Sequence, residues 1–163
     1  MFVKPNKTKV ATANDVVYTN SATAKIIVDY FNPQGSILEP CRGGGAFYDL
    51  FSEPKFWCEI TDGRDFFDFE GHTDWIITNP PFSIFDLFLE KCFDVADNVV
   101  LFIPLPKVFK SMKIDKMISD YGGLKEIVHM GTGGRHGFAF GFPVGCVHYK
   151  KGYRGDIKYT QLY

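Results

Sequence analysis

Short apolar runs alternate with segments of helical periodicity along this chain, and that alternation restricts it to α/β folds. SILEP, KFWCEI, DWIIT and NVVLFIP read as four strands at residues 36–40, 55–60, 74–78 and 98–104. SATAKIIVDYF places Ala24, Ile27, Val28 and Phe31 at helical spacing, AFYDLF opens a second helix, and IFDLFLEKCFDVA supplies a third. KVFKSMKIDKMISDY reads as a fourth helix, and GLKEIVHM, FPVGCVHYKKG and DIKYTQLY as three closing strands. The expected architecture is a mostly parallel, seven-stranded sheet with helices on both faces. Ligands of such sheets sit beyond the carboxyl ends of the strands. Here those ends carry the odd sequences.

At 163 residues the chain suits one domain with a full core and is short for two. Residues 1–14, polar and lysine-bearing, read as a flexible arm, and residues 15–163 as a single domain without a separate target-recognition domain. The 17 Phe, 8 Tyr and 2 Trp fill a core and leave rings over for planar ligands. No run approaches the length of a membrane span, and the N-terminal MFVKPNKTKV has no apolar signal core. Cys41, Cys58, Cys92 and Cys146 are widely separated, with neither zinc-ligand spacing nor a secreted disulfide pattern. A reduced, cytoplasmic protein without a metal is the expectation.

A net charge of −1 hides an asymmetry. Residues 1–103 hold 8 Lys and Arg against 15 Asp and Glu, whereas residues 104–163 hold 10 against 4. Lys107, Lys110, Lys113, Lys116, Lys150, Lys151, Arg154 and Lys158 form either an electrostatic footprint for phosphates or a solvated helix face with a basic tail.

Four strand ends carry candidate chemistry. In ILEPCRGGGAFYDLF, Glu39 precedes Gly43, Gly44 and Gly45, which let the backbone pass close beneath a ligand. The turn lacks the Gly-Lys-Ser/Thr of a phosphate-binding loop, and Tyr48 stands where the third glycine of a dinucleotide fingerprint would fall. An acidic residue there favours a ligand with a cationic group over a pyrophosphate. Glu59, twenty residues beyond Glu39, is either a ribose-hydroxyl acceptor or a surface glutamate. In GRDFFDF, Asp65 and Phe66 fit an adenine amino group and ring, or equally a loop carboxylate and a core phenylalanine. The fourth end is DWIITNPPFSIF, where a strand stops in Asn79, Pro80, Pro81 and Phe82. This is either a substrate-gripping loop or a rigid turn whose Asn caps the next helix and whose Phe is buried.

Taken in order, EPCRGGGAF, WCEI, GRDFF and NPPF resemble the Rossmann-like class I amino-methyltransferases that use S-adenosylmethionine. The nearest resemblance is to small adenine-N6 DNA methyltransferases of the phage type. It covers residues 15–105 motif by motif, and VVYTNSATAKIIVDYF is similar to the family's N-terminal cofactor motif. The resemblance implies that Glu39, Pro40, Gly43, Gly45 and Phe47 surround the methionine end of the cofactor. It implies Glu59 at the ribose, Asp65 with Phe66 at the adenine, Tyr18 and Thr19 over the sulfonium, and Asn79 between cofactor and substrate.

The proposed chemistry fits NPPF. An exocyclic amine is a poor nucleophile because its lone pair is delocalised into the ring. Acceptors at the Asn79 side chain and the Pro80 carbonyl would bind its two N–H groups and free the lone pair, with Pro80 and Pro81 fixing both acceptors in advance. Phe82 would stack on the extruded base. The resemblance also covers enzymes that act on adenine or guanine in RNA and on protein glutamine. Members of the last group generally carry Tyr at the place of Phe82, which tilts the expectation toward nucleic acid, with DNA the expected substrate. Lys107 and Lys110 follow the fourth strand on the substrate side, and the Gly131–Pro143 loop carries Arg135 and His136, to close over a base or merely to connect two strands. With no recognition domain, specificity is expected to be short or relaxed, or supplied by a homodimer or a protein partner. A non-catalytic protein binding S-adenosylmethionine or nucleic acid, and a dehydrogenase, are the remaining alternatives.

Overall fold

The computed structural model describes residues 1–4 and 17–163. Among these residues a single sheet holds seven strands: β1 (Ile37–Glu39), β2 (Lys55–Trp57), β3 (Thr73–Thr78), β4 (Ala96–Pro104), β5 (Gly122–Thr132), β6 (Pro143–Lys151) and β7 (Lys158–Gln161). Their order is β2-β1-β3-β4-β6-β5-β7. β2, β1, β3 and β4 run parallel, β6 inserts antiparallel between β4 and β5, and β7 returns parallel to β5. The seven expected strands and the mostly parallel α/β layout are thus present.

Three α-helices cover the sheet among the described residues: α1 (Ser21–Phe31), α2 (Phe85–Val95) and α3 (Met112–Tyr121). Asn20 caps α1 by accepting from the Thr23 N–H at 2.8 Å, and Asn32, in the left-handed region at φ 41°, ends it before Pro33. Ser111 caps α3 through the Ile114 N–H. In α2, Phe85, Phe88, Leu89 and Cys92 are buried at i, i+3, i+4 and i+7. The strands divide their side chains between two cores. Ile76, Val99, Leu101 and Ile103 join Phe85, Phe88 and Ile114 on the α2–α3 face. Ile77, Val100 and Phe102 join Ala24 and Ile27 on the α1 face. Both faces of the sheet are therefore apolar, which is why the central strands read as continuous hydrophobic runs.

Two expected helices differ. AFYDLF forms one 3-10 turn, Tyr48–Leu50, because the chain must reach β2 at Lys55 and Pro54 intervenes; Phe47 and Phe51 turn into the core instead. The fourth helix splits at Ser111 into a 3-10 turn, Leu105–Phe109, and α3. The expected arm lies outside the described residues from position 5 to 14. Residues ahead of it rest on the domain: Phe2 stacks on Phe67 at 5.5 Å, and Lys4 pairs with Asp65 and Asp68. No helix among the described residues is long and apolar enough to cross a membrane.

Candidate active site

The carboxyl ends of β1 and β3 meet at Glu39. Its side chain is 1 % exposed and accepts from the Thr78 hydroxyl and from the Cys41 N–H at 3.0 Å. Burial pushes this carboxyl up to about 8. Glu39 thus ties the first residue of the glycine turn to the residue before Asn79. Glu59 secures the same turn from the other side. It accepts from the Gly43 N–H at 2.8 Å and from the Thr61 N–H and hydroxyl. Burial works to raise its pKa, yet these donors outweigh burial and hold the carboxyl below its ordinary value.

Gly43 lies at φ 49°, and a Cβ there would come within 2.9 Å of the Tyr18 ring. Only glycine permits both the conformation and the close approach. Asn79 faces the same space. Its amide nitrogen donates to the Val17 carbonyl at 3.1 Å and the Thr19 hydroxyl at 3.2 Å. The residue does not cap a helix; the following 3-10 turn, Phe82–Ile84, begins after Pro81. Between these segments lies a cavity of about 570 Å³ lined by Tyr18, Thr19, Gly43, Gly45, Phe47 and Asn79. Six residues singled out in the sequence therefore meet in one place. Lys25, Arg42 and Asp49 also line it, giving both cationic and anionic partners for a zwitterion. Sequence reasoning passed over all three, although Asp49 stands four residues beyond Gly45, to whose carbonyl its N–H donates at 2.9 Å.

Other expected residues sit elsewhere. Glu39 and Glu59 brace the turn from behind, and neither they nor the buried Pro40 line the cavity. Phe66 is 4 % exposed and packs on Phe88 at 4.9 Å. Asp65 accepts from the Phe67 N–H at 2.9 Å and pairs with Lys4 at 3.1 Å. Of the two readings open for these residues, the loop carboxylate and core phenylalanine describe their placement. His136 is held by both ring nitrogens, to the Thr23 hydroxyl at 2.8 Å and the Met130 carbonyl at 2.7 Å. Arg135 lies over the Tyr163 ring at 5.9 Å. Neither reaches Phe82.

The rings of the same loop do reach it. Phe82 stands 5.8 Å from Phe138 and 6.4 Å from Phe140, and Phe138 stacks on Phe140 at 4.9 Å. Lys107 donates to the Phe82 carbonyl at 3.2 Å, with its ammonium 5.9 Å from the ring centroid. A second cavity, about 400 Å³, opens here between Phe82, Phe140, Phe142 and Pro106, with Lys107 and Lys110 in its wall. Phe140 and Phe142 were missed in the sequence. Their signal was the alternation of Phe138, Phe140 and Phe142, an aromatic at every second position of a loop rich in glycine. Among the described residues no cluster of His, Cys, Asp or Glu gathers to hold a metal.

No protein-family model and no curated protein sequence matches the chain. Solved structures do share its fold. The modification subunit of a candidate type I restriction enzyme from Vibrio vulnificus aligns with a TM-score of 0.65 at 16 % identity, over 93 % of this chain. The chain spans about half, 48 %, of that protein's length. A candidate class I S-adenosylmethionine-dependent methyltransferase from Listeria monocytogenes aligns at 0.66 and 11 % identity, over 94 % of this chain and 68 % of its own. A candidate RNA methyltransferase from Pyrococcus horikoshii aligns at 0.58 and 15 % identity, over 80 % and 82 %. The fold is that of the class I methyltransferases.

Proposed function

We propose that the chain transfers a methyl group from S-adenosylmethionine to the N6 amino group of adenine in DNA. The observation that carries this reading is the setting of Asn79. Its amide nitrogen is bound to Val17 and Thr19 at the wall of the larger cavity. That binding orients the carbonyl oxygen as an acceptor. Thr78, one residue back, is fastened to Glu39, so the acceptor is held before any substrate arrives.

The larger cavity suits the cofactor. Gly43 leaves room where a side chain would strike Tyr18, and Asp49, Lys25 and Arg42 offer partners for an ammonium and a carboxylate. Bound there, S-adenosylmethionine supplies an electrophilic methyl on a sulfonium. The remaining work falls to the chain. The Asn79 oxygen and the Pro80 carbonyl accept the two N–H groups of the target amine, which localises its lone pair. Phe82 and Phe140 provide faces for an extruded base, and Lys107 lies beside the ring of Phe82. No side-chain base is required for the attack, because the nitrogen becomes acidic once methylated.

Phe82 in place of Tyr favours nucleic acid over protein glutamine, and the restriction-enzyme modification subunit among the structural neighbours supports DNA. Recognition beyond the target base is short, or comes from a second subunit or a protein partner. Nucleoside mass spectrometry on unmodified DNA and RNA, each incubated with protein and S-adenosylmethionine, tests the reading. N6-methyldeoxyadenosine that disappears with Asn79→Ala is the expected result. Label confined to RNA would move the substrate while keeping the mechanism, and no label in either polymer would sink the proposal.

A further inference from the structure

The smaller cavity opens onto a surface that the catalytic reading leaves unexplained. Phe142, in its wall, is 60 % exposed. The stretch that contributes Pro106, Lys107 and Lys110 to the same wall also carries Phe109, 74 % exposed, and Met112, 82 % exposed. Phe109 borders a second groove, about 310 Å³, whose lining includes Tyr153 and Arg154. The Arg154 guanidinium is fixed there by the carbonyls of Ser119, at 2.9 Å, and Gly122. Rings and cations therefore stand together in both grooves, Phe142 with Lys110 in the first and Phe109 with Arg154 in the second.

Exposed large apolar side chains gathered in one area mark a binding surface. The cations among them indicate its occupant. Lys107, Lys110 and Arg154 line these grooves, with Asp86 paired to Lys110 at 3.3 Å and Asp115 in the second groove as their acidic neighbours. Flat apolar rings set among positive charges complement a polyanion whose bases are free to stack. A duplex offers its phosphates to the cations, but its base faces are already stacked on one another. An unpaired strand offers both.

We infer that these grooves bind an unpaired DNA strand, with bases beside the target stacked on Phe142 and Phe109 and phosphates on Lys110 and Arg154. The inference rests on the methyl-transfer reading above and narrows its substrate to single-stranded DNA.

The test measures binding without cofactor, by fluorescence anisotropy of a labelled adenine-containing oligonucleotide. The probe is presented as a single strand, as a duplex and as single-stranded RNA of the same sequence. The single DNA strand binds at least about tenfold tighter than the duplex. Phe142→Ala and Phe109→Ala each weaken single-strand binding by about tenfold, and Phe142→Trp retains it. Lys110→Ala flattens the slope of log affinity against log salt by about 0.7. Equal affinity for strand and duplex, indifference to both aromatic truncations, or tighter binding of RNA would each overturn the inference. Methyl transfer by the unmodified protein is assayed separately. Aromatic-dependent binding of the single strand with no transfer to any polymer sinks the catalytic reading and supports this one. Transfer confined to duplex DNA does the reverse.

Discussion

The two cavities are built in opposite ways. The larger is shaped by main chain and held by carboxylates: Glu39 and Glu59 fasten the glycine turn, and the Asn79 amide is bound to the segment at Val17 and Thr19. The smaller is shaped by rings, with Phe82, Phe140 and Phe142 packed at angles and lysines at their edges. A site defined by hydrogen bonds holds a fixed polar ligand, because each donor and acceptor has a direction. Stacked rings accept any flat face and discriminate little. On the proposed reading, the difference suits a specific cofactor in the first cavity and a base of loosely specified context in the second.

This division can be broken experimentally, and the largest effect is expected at the boundary. Asn79→Ala should lower the transfer rate by about 10²–10³-fold, as removal of one preorganised polar group does, and leave oligonucleotide affinity within about threefold. Rate measurements at saturating cofactor and substrate test this. Parallel losses in both quantities would mean that Asn79 organises the fold rather than the reaction.

Gly43→Ala comes next. The new methyl would meet the Tyr18 ring at 2.9 Å in a backbone conformation at φ 49°. Cofactor affinity, read by calorimetry, should fall by at least about tenfold with no change at the aromatic slot. The double variant Gly43→Ala/Tyr18→Ala should recover part of the loss, since the struck ring is gone and only the strained φ remains. Phe140→Ala should show the reverse pattern, weakening nucleic acid by about tenfold while cofactor affinity stays unchanged.

The last effect is on pH dependence rather than on either cavity, and concerns Glu39. Its carboxyl keeps its proton up to about 8 in the folded protein, whereas the ordinary value is 4.5. Folding therefore takes up a proton between these two pH values. The stability gained from it is complete below 4.5 and is lost as pH rises toward 8, by at most about 1.4 kcal/mol per pH unit. Glu39→Gln keeps an acceptor for Thr78 and Cys41 but cannot ionise. Chemical unfolding from pH 5 to 8 should give a flatter profile for this variant, and identical profiles would place the titration elsewhere.

Legibility followed the same division. The glycine turn and NPPF were readable because each is a few consecutive residues whose types constrain the local backbone: Gly43 for its φ, Pro80 and Pro81 for a rigid exit from β3. The placement of Asp65 and Phe66 was not, since a Phe beside a strand end suits a core and a ligand site alike. Packing against Phe88 put it in the core. The surroundings of Arg135 and His136 were not legible for a related reason: the loop sets Arg135 over Tyr163 and His136 between Thr23 and Met130, and brings Phe138 and Phe140 to Phe82.

The amino-acid order by itself determined the succession of strands and helices, the sharp exits at the ends of β1 and β3, and the candidate chemistry of Asn79. Each depends on periodicity or on the intrinsic geometry of glycine and proline over a few neighbouring residues. Only the tertiary structure decided which rings surround Phe82. β6 pairs antiparallel with β4, with Pro104 opposite Val144. That register sets the loop ending at Phe142 against the turn that begins at Leu105. Contacts between residues so far apart in the chain follow from the order of strands in the sheet, which no local pattern encodes.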